Sequence, residues 1–540
     1  MKLLSKKRNI LINKFINIKG FFLFLIIFYL LIRIPYLGFS NFNTDSFKWK
    51  QRIYDFGSGV FNLDFEKTNQ KYHPGVTLLW IGTFAVKAHT LLYEYVFQTP
   101  LNDNSADLIF SLNYFQILFI VIFSALLLGI FYKFLTQIYD PVKSFFICLI
   151  FSIEPFFLGL TTTLHLDGLL SLFVLNTLIT FYLFLNTHLK KYLYYSAVFF
   201  GFALLTKTTA LLFAPIIFVS YFYFRKLKIV SNYKNVIKEL GLFLALVVST
   251  YIVIWPAMWV SPIETITYVF KGVVVGTDDH SQLYFGNLVN DPGPLYYLLV
   301  FFIKTPIYIF PTMLLALYRQ LNTTYRKYTF ETFSLITSLL YLIEISIPSK
   351  KLDRYILPLT VLLSIFVINY LYNIFKERII YLFLFNVFYI LYLNFDYFSY
   401  YNPLIGGLNK NSFVIEPKWA FGQKELTIFF RNEIKKNNLE LFPKNEADVN
   451  RVREKNNRLI VAMPEKYYTQ LNPYLRYIDS FAVINELKSD AKRASYFIFP
   501  VWEDNSIEFV DRYSLEYCDT IKVRGESVYI VYKKIKKDDK

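Results

Sequence analysis

The chain has 540 residues, of which 55% are apolar, 20% aromatic and only 18% charged, with 58 Phe and 44 Tyr. That composition excludes a soluble globular enzyme, a fibre and a disordered chain. The apolar residues gather in blocks of about 20, the length a helix needs to cross the hydrocarbon core. The excess of 57 basic over 40 acidic residues, formally +17, does not call for nucleic acid as a partner, because cations on short loops orient membrane spans.

In chain order, Lys2, Lys6, Lys7, Arg8, Lys14 and Lys19 precede the first apolar block without an acidic residue, so that block is expected to start in the cytoplasm. No small-residue cleavage site follows Ile34, Pro35 and Tyr36, and the block reads as a retained first helix. Apolar windows then lie near 76–97, 110–132, 143–160, 166–186, 192–206, 208–224, 239–259, 294–318, 330–348, 353–375 and 379–398. Three basic clusters, at Lys190 and Lys191, at Arg225 to Lys238, and at Arg319 to Lys327, are expected on the cytoplasmic side. Working back from them, one early window cannot cross. The weakest is 76–97, interrupted by Lys87, His89 and Glu94, which is assigned to the outer interface.

The expected fold is thus a polytopic α-helical membrane protein of about 11 transmembrane helices. A long first external loop, 38–109, bears interfacial helices, and a lid-like external loop spans 260–293. This membrane module covers 1–408. From about Tyr400 the charges become dense and the apolar runs short, as in 458–463, 495–500 and 527–532, which read as buried strands. With a polar helical stretch near 424–437 they predict a small C-terminal external α/β domain over 409–540. Cys148 and Cys518 lie in settings too different for a bridge or a metal site.

Candidate chemistry begins in the first loop. Asn43 or Thr44 is expected to cap a helix on which Asp45, Lys48, Trp49 and Arg52 share a face. A carboxylate beside cations at the membrane surface suits removal of a proton from an acceptor hydroxyl next to an anionic head group; a capped, solvated helix is the plainer reading. His73 stands before Pro74 at the entry to the 76–97 helix, where a lone His is usually structural. His165 and Asp167 stand at the outer end of the span 166–186, and an ionisable group at that depth is costly, unless Asp167 serves only as a cap. Lys207 and the run Lys350, Lys351, Asp353, Arg354, Tyr355 put positive charge on the outer side, against the topology rule. Holding a lipid phosphate is one reason, and snorkelling to head groups is the other. His280 and Asp291 lie in the 260–293 segment, whose Gly and Pro read as a hinged lid or a passive turn. The chain has no Walker loop, no dinucleotide fingerprint, no HExxH and no DxD.

Taken in order, Asp45, the stretch from Tyr72 to Thr77 around His73, His165 with Asp167, Lys207, Trp255 to Trp259, Asp291 to Pro294 and Lys351 to Pro358 resemble the protein O-mannosyltransferase and aminoarabinose transferase family. These are C-type, polyprenyl-phosphate-dependent membrane glycosyltransferases, and the likeness runs over about residues 20–408. The resemblance implies transfer of a sugar from a polyprenyl-phosphate donor to a protein, lipid or glycan acceptor on the non-cytoplasmic face of the cell membrane, with inversion. It implies Asp45 as the catalytic base, Arg52, Lys207, Lys351 and Arg354 on the donor phosphate, and Asp167, His165, His73, His280 and Tyr355 near sugar or acceptor. No metal or other cofactor is expected. Many relatives carry a second acidic residue directly after the first-loop Asp, where this chain has Ser46. A transporter or flippase of a lipid-linked glycan is the alternative; its sites should sit near the midplane on broken helices.

Overall fold

The structure is a computed structural model that describes residues 2–39, 42–98, 108–227, 233–275, 282–322, 329–409, 415, 417, 419–439, 459–478, 482–485, 489–502 and 506–535. Helix α1 (Lys2–Arg33) carries the first apolar block and α2 (Ser46–Phe61) lies in the first loop, followed by α3 (Val76–Phe97) and α4 (Leu108–Leu135). The window 143–160 is a broken pair, α5 (Pro141–Phe151) and α6 (Pro155–Thr161), bent by 74°. The break has a local cause. Pro155 sits at the first position of α6 and Glu154 caps it, accepting the N–H groups of Phe156 at 3.2 Å and Phe157 at 2.6 Å, an arrangement that starts a new helix rather than continuing the old one.

Helix α7 (Asp167–Thr187) is apolar on every side and is the central helix, its whole apolar window buried, as expected of a helix without a polar stripe. It packs against α8 (Lys190–Thr206), α4, α6 and α9 (Phe213–Leu227). Helix α10 (Tyr233–Ile254) lies against α8 and leads to the short α11 (Ala257–Val260). The segment 260–293, expected as a lid-like loop, instead carries helix α12 (Pro262–Val275) and a hairpin of β1 (Gln282–Tyr284) and β2 (Asn287–Val289). Apolar residues spaced three and four apart with Pro262 at the start are enough for a helix there.

A second broken pair, α13 (Tyr296–Lys304) and α14 (Ile309–Leu321), turns by 115° around Pro306. Helices α15 (Phe330–Ser346), α16 (Leu357–Phe375) and α17 (Ile380–Tyr392) complete the apolar region. Among the described residues five helices are long and apolar enough to cross a membrane, or seven if each broken pair is one span. Eleven are expected; α8, α9 and α15 match expected windows but are shorter than 18 residues, and α16 and α17 count together as the one stretch Asp353–Tyr392. Helix α3 is among the five, though with a mean hydropathy of 1.3 it is the least apolar of them.

Toward the C-terminus, α18 (Gln423–Lys436) occupies the expected polar helix. The three expected strands appear as β3 (Ile460–Met463), β5 (Tyr496–Pro500) and β7 (Glu526–Lys534). They share a sheet of order β4-β3-β5-β7-β6 with β4 (Ala482–Asn485) and β6 (Leu515–Val523). β3 runs parallel to β4 and β5, and β7 antiparallel to β5 and β6. Helices α19 (Glu465–Asn472) and α20 (Ser506–Tyr513) connect the strands. Arg524 and Gly525, both at positive φ, make the two-residue turn between β6 and β7, the geometry that matches the twist of the flanking strands.

Candidate active site

The site begins with the way α2 starts. Its first helical residue is Ser46, and Asp45, rather than Asn43 or Thr44, occupies the N-cap position, yet the Asp45 carboxylate makes no capping bond. Asn43 takes over the local turn. Its Oδ1 accepts the Asp45 N–H at 2.9 Å, while its own N–H is donated to Ser46 Oγ at 3.1 Å, the side-chain turn for which Asn is suited. The Asp45 side chain is therefore left to point elsewhere.

It points at His165 and Arg354. Asp45 Oδ2 lies 3.4 Å from His165 Nε2 and 3.6 Å from Arg354 Nη2. Behind them Asp167, the first residue of α7, has Oδ1 2.6 Å from Lys207 Nζ, and Oδ2 3.0 Å from His165 Nδ1 and 3.1 Å from Arg354 Nε. The imidazole bridges the two carboxylates. Asp167, His165, Lys207 and Arg354 are buried, whereas the Asp45 side chain keeps 28% of its surface exposed. A buried carboxylate survives only with such partners, and the N-terminus of α7 adds favourable helix-dipole potential. The Asp45 carboxylate is the accessible one of the two. Arg354 Nη1 has no hydrogen-bond partner among the described residues, so one nitrogen of this guanidinium is uncommitted.

The neighbouring chain explains how these groups meet. Lys207 sits where α8 gives way to a short 3-10 turn, over the Tyr355 ring at 4.3 Å. The entry to α3 is bound to the same place: Gly75 N–H is donated to Thr206 O at 3.2 Å, the Thr77 and Thr206 hydroxyls meet at 2.8 Å, and His73 Nδ1 lies 2.6 Å from Thr208 Oγ1. Gly75 has φ +63° and a Cβ there would stand 2.5 Å from the Trp49 ring, so only glycine lets α2 and α3 close. Burial, then the charge on Lys207, pushes the His73 imidazole down to about 3, which keeps it neutral near pH 7. Tyr341 Oη donates to Tyr355 O at 2.8 Å and the Leu352 N–H to Tyr297 Oη at 3.3 Å, which fixes the turn bearing Arg354.

Of the residues singled out in the sequence, the structure brings together Asp45, His165, Asp167, Lys207, Arg354 and Tyr355, with His73 alongside. Arg52 stacks over Trp49 at 4.6 Å and is electrostatically coupled to Asp45. Lys351 is directed away: its Nζ bonds Asp291 Oδ1 at 2.6 Å and Pro348 O at 2.7 Å. That hydrogen bond holds the Asp291 carboxyl below its ordinary range. His280 lies outside the described residues. Sequence reasoning missed Trp419, whose buried ring meets His165 edge-on at 5.2 Å and lies 5.6 Å from the Arg354 guanidinium. A single Trp in a linker carries no periodic signal by which to find it. Among the described residues no group of three or more His, Cys, Asp or Glu is arranged to hold a metal ion.

Solved structures that this chain matches include ArnT from Cupriavidus metallidurans bound to undecaprenyl phosphate, at 14% identity over 96% of this chain and 98% of that one, with a TM-score of 0.46. Another is the archaeal oligosaccharyltransferase AglB from Archaeoglobus fulgidus in complex with an inhibitory peptide and a dolichol-phosphate, at 12% identity over 97% and 75% of the two chains, with a TM-score of 0.43. No curated protein matches the sequence. The stretch 105–255, which contains His165, Asp167 and Lys207 but neither Asp45 nor Arg354, matches the dolichyl-phosphate-mannose-protein mannosyltransferase family model, and through it the chain carries the family resemblance read from its motifs.

Proposed function

We propose that this protein is an integral-membrane glycosyltransferase that moves a sugar from a polyprenyl-phosphate-linked donor to an acceptor on the non-cytoplasmic face, by inverting single displacement. The observation that carries the reading is the partly exposed Asp45 carboxylate set against Arg354 and His165, in front of the enclosed Asp167–Lys207 pair. In the proposed step Asp45 accepts the proton of an acceptor hydroxyl as its oxygen bonds to the anomeric carbon. The bond from that carbon to the phosphate oxygen breaks, and polyprenyl phosphate departs with the electron pair. Such a leaving group needs its charge stabilised rather than a proton, which is the task assigned to Arg354 and Lys207, with Arg52 at the rim. Lys351 would join only if it left Asp291. The proton on Asp45 then passes to water.

The proposed topology has eleven spans, the N-terminus in the cytoplasm and residues 409–540 outside as a separate α/β domain, in the inner or plasma membrane. The proposed chemistry uses no metal, because Lys207 and Arg354 already stand where a cation would neutralise the two carboxylates. The rival reading, a flippase of a lipid-linked glycan, is less well supported: the charged cluster lies at the ends of α7 and α8 and not at the breaks of α5–α6 or α13–α14.

The test is release of free polyprenyl phosphate from a panel of radiolabelled polyprenyl-phosphate sugars by the purified protein, with and without chelator. Release that resists chelator and falls about 10²- to 10⁴-fold in Asp45→Asn is the expected result. Release that chelator abolishes would overturn the metal-free step, and lipid binding with no release from any donor would favour the flippase.

A further inference from the structure

A cavity of about 380 Å³ lies apart from the charged cluster, where the segment after α1, the end of α17, α18 and the β6–β7 turn meet. Its size is that of a small-ligand pocket. One wall is aromatic: Tyr36 and Phe395, whose rings lie 5.2 Å apart, and Phe39. Tyr36 and Phe39 are more than half exposed and follow directly on an apolar helix, the position where rings gather at a membrane interface. The opposite wall is α18. Its residues Lys424, Ile428 and Arg431 line the cavity, are all exposed, and fall at i, i+4 and i+7, one above another on one helical face. At the back, Arg524 is fastened by 2.8 Å bonds to Ser399 Oγ and Ser399 O.

We infer that this cavity binds a membrane lipid with an anionic phosphate head group, held by Lys424 and Arg431 with its acyl chain against Tyr36, Phe39 and Ile428. The lining carries three cations, Lys424, Arg431 and Arg524, against two carboxylates, Glu425 and Asp396, and a mostly apolar slot with that surplus complements an anionic amphiphile, since Lys and Arg both bind phosphate oxygens and basic residues beside a membrane attract acidic lipids. The occupant is not the donor of the transfer reaction, whose phosphate is assigned to Arg354 and Lys207. The inference does not depend on that reaction.

Native mass spectrometry of the full-length protein in mild detergent, with phosphatidylglycerol or phosphatidylcholine of the same acyl chains, tests it. The expected result is about 10-fold greater retention of phosphatidylglycerol, reduced about 10-fold in the Lys424→Glu, Arg431→Glu double variant, and loss of both lipids on filling the cavity with Ile428→Trp. An unchanged binding constant for polyprenyl phosphate shows that the double variant is folded. If it is not, Lys424→Gln with Arg431→Gln takes its place, with a smaller loss expected. Equal retention of the two lipids by the wild type, or undiminished retention by the folded charge variants, overturns the inference. Displacement of phosphatidylglycerol by an equimolar amount of polyprenyl phosphate does so too, since the cavity would then belong to the donor.

Discussion

Two carboxylates, one at the head of α7 and one just past α17, show what neighbours do to a buried acid. Asp167 has Lys207, His165 and Arg354 within 3.1 Å. Asp396 faces the backbone N–H groups of Gly422, at 3.4 Å, and Ser399, feels the charge of Arg524, and has Oδ1 without a close hydrogen-bond partner among the described residues. Burial, opposed by Arg524, pushes the Asp396 carboxyl up to about 7. The first acid is held in a lattice of fixed charge, which keeps the geometry around Asp45 constant. The second sits at a seam between the apolar helices and the C-terminal sheet, where charge is only half compensated. Burial alone does not decide whether a carboxylate is a structural ion or a titrating group.

The largest expected effect comes from removing the compensated acid. Asp167→Ala strands the buried Lys207 without its partner and leaves Arg354 only Asp45, at 3.6 Å, and is expected to destabilise by about 3–5 kcal/mol, read as a fall in the thermal midpoint of the purified protein; an unchanged midpoint would mean that the lattice is not holding the site. Next, Arg354→Lys keeps the charge but loses the planar fork, and polyprenyl-phosphate release is expected to drop about 10²-fold with the midpoint little altered. Lysine performing as well as arginine would reduce Arg354 to a point charge.

Asp396→Asn should act in the opposite direction. An acid whose folded value is raised to about 7 from 3.8 binds its proton more tightly when folded, so its contribution is complete below the unfolded value and is lost as pH rises to about 7. The amide cannot ionise. The variant is therefore expected to match wild type near pH 4 and exceed it above pH 7 by on the order of 4 kcal/mol, followed by melting across that range. A constant difference at all pH values would break the contrast between the two acids. The smallest effect is expected at His73. Lowered to about 3, it does not titrate in the working range, so His73→Asn should leave the shape of the pH–rate profile between pH 5 and 9 unchanged. Loss of an existing limb would show that His73 is the group titrating.

Much of this architecture was legible in the residue pattern because apolar length and charge placement are strong signals. The windows matched helices, and the runs ending at Met463, Pro500 and Tyr532 became β3, β5 and β7. Lys207 and Arg354 stood out because cations expected on the outer side of a span need a reason; a lipid phosphate and snorkelling are two such reasons, and the structure adds a third, pairing with Asp167. The pattern was weaker where the partner lies far along the chain. Lys351 looks like Arg354 in sequence, yet Asp291 draws it away. β6 alternates exposed and buried residues with two irregular registers against β7, so it lacked the continuous apolar run that revealed its neighbours. The turn made by Asn43, which releases Asp45 from capping, depends on side-chain hydrogen bonds rather than on residue preference alone.

The loop that carries Asp45 also has a distant anchor. Phe42 donates its backbone N–H to the phenol of Tyr474 at 3.2 Å, and the two rings pack edge to face with Phe110 between the same partners. Tyr474 lies 432 residues later in the chain. During synthesis the loop therefore emerges long before the side chain that fastens it, and its final conformation waits on the last fifth of the polypeptide. A chain truncated before Tyr474 would insert its helices and still lack that clasp, so assembly order, as well as sequence, governs when the carboxylate reaches its working position.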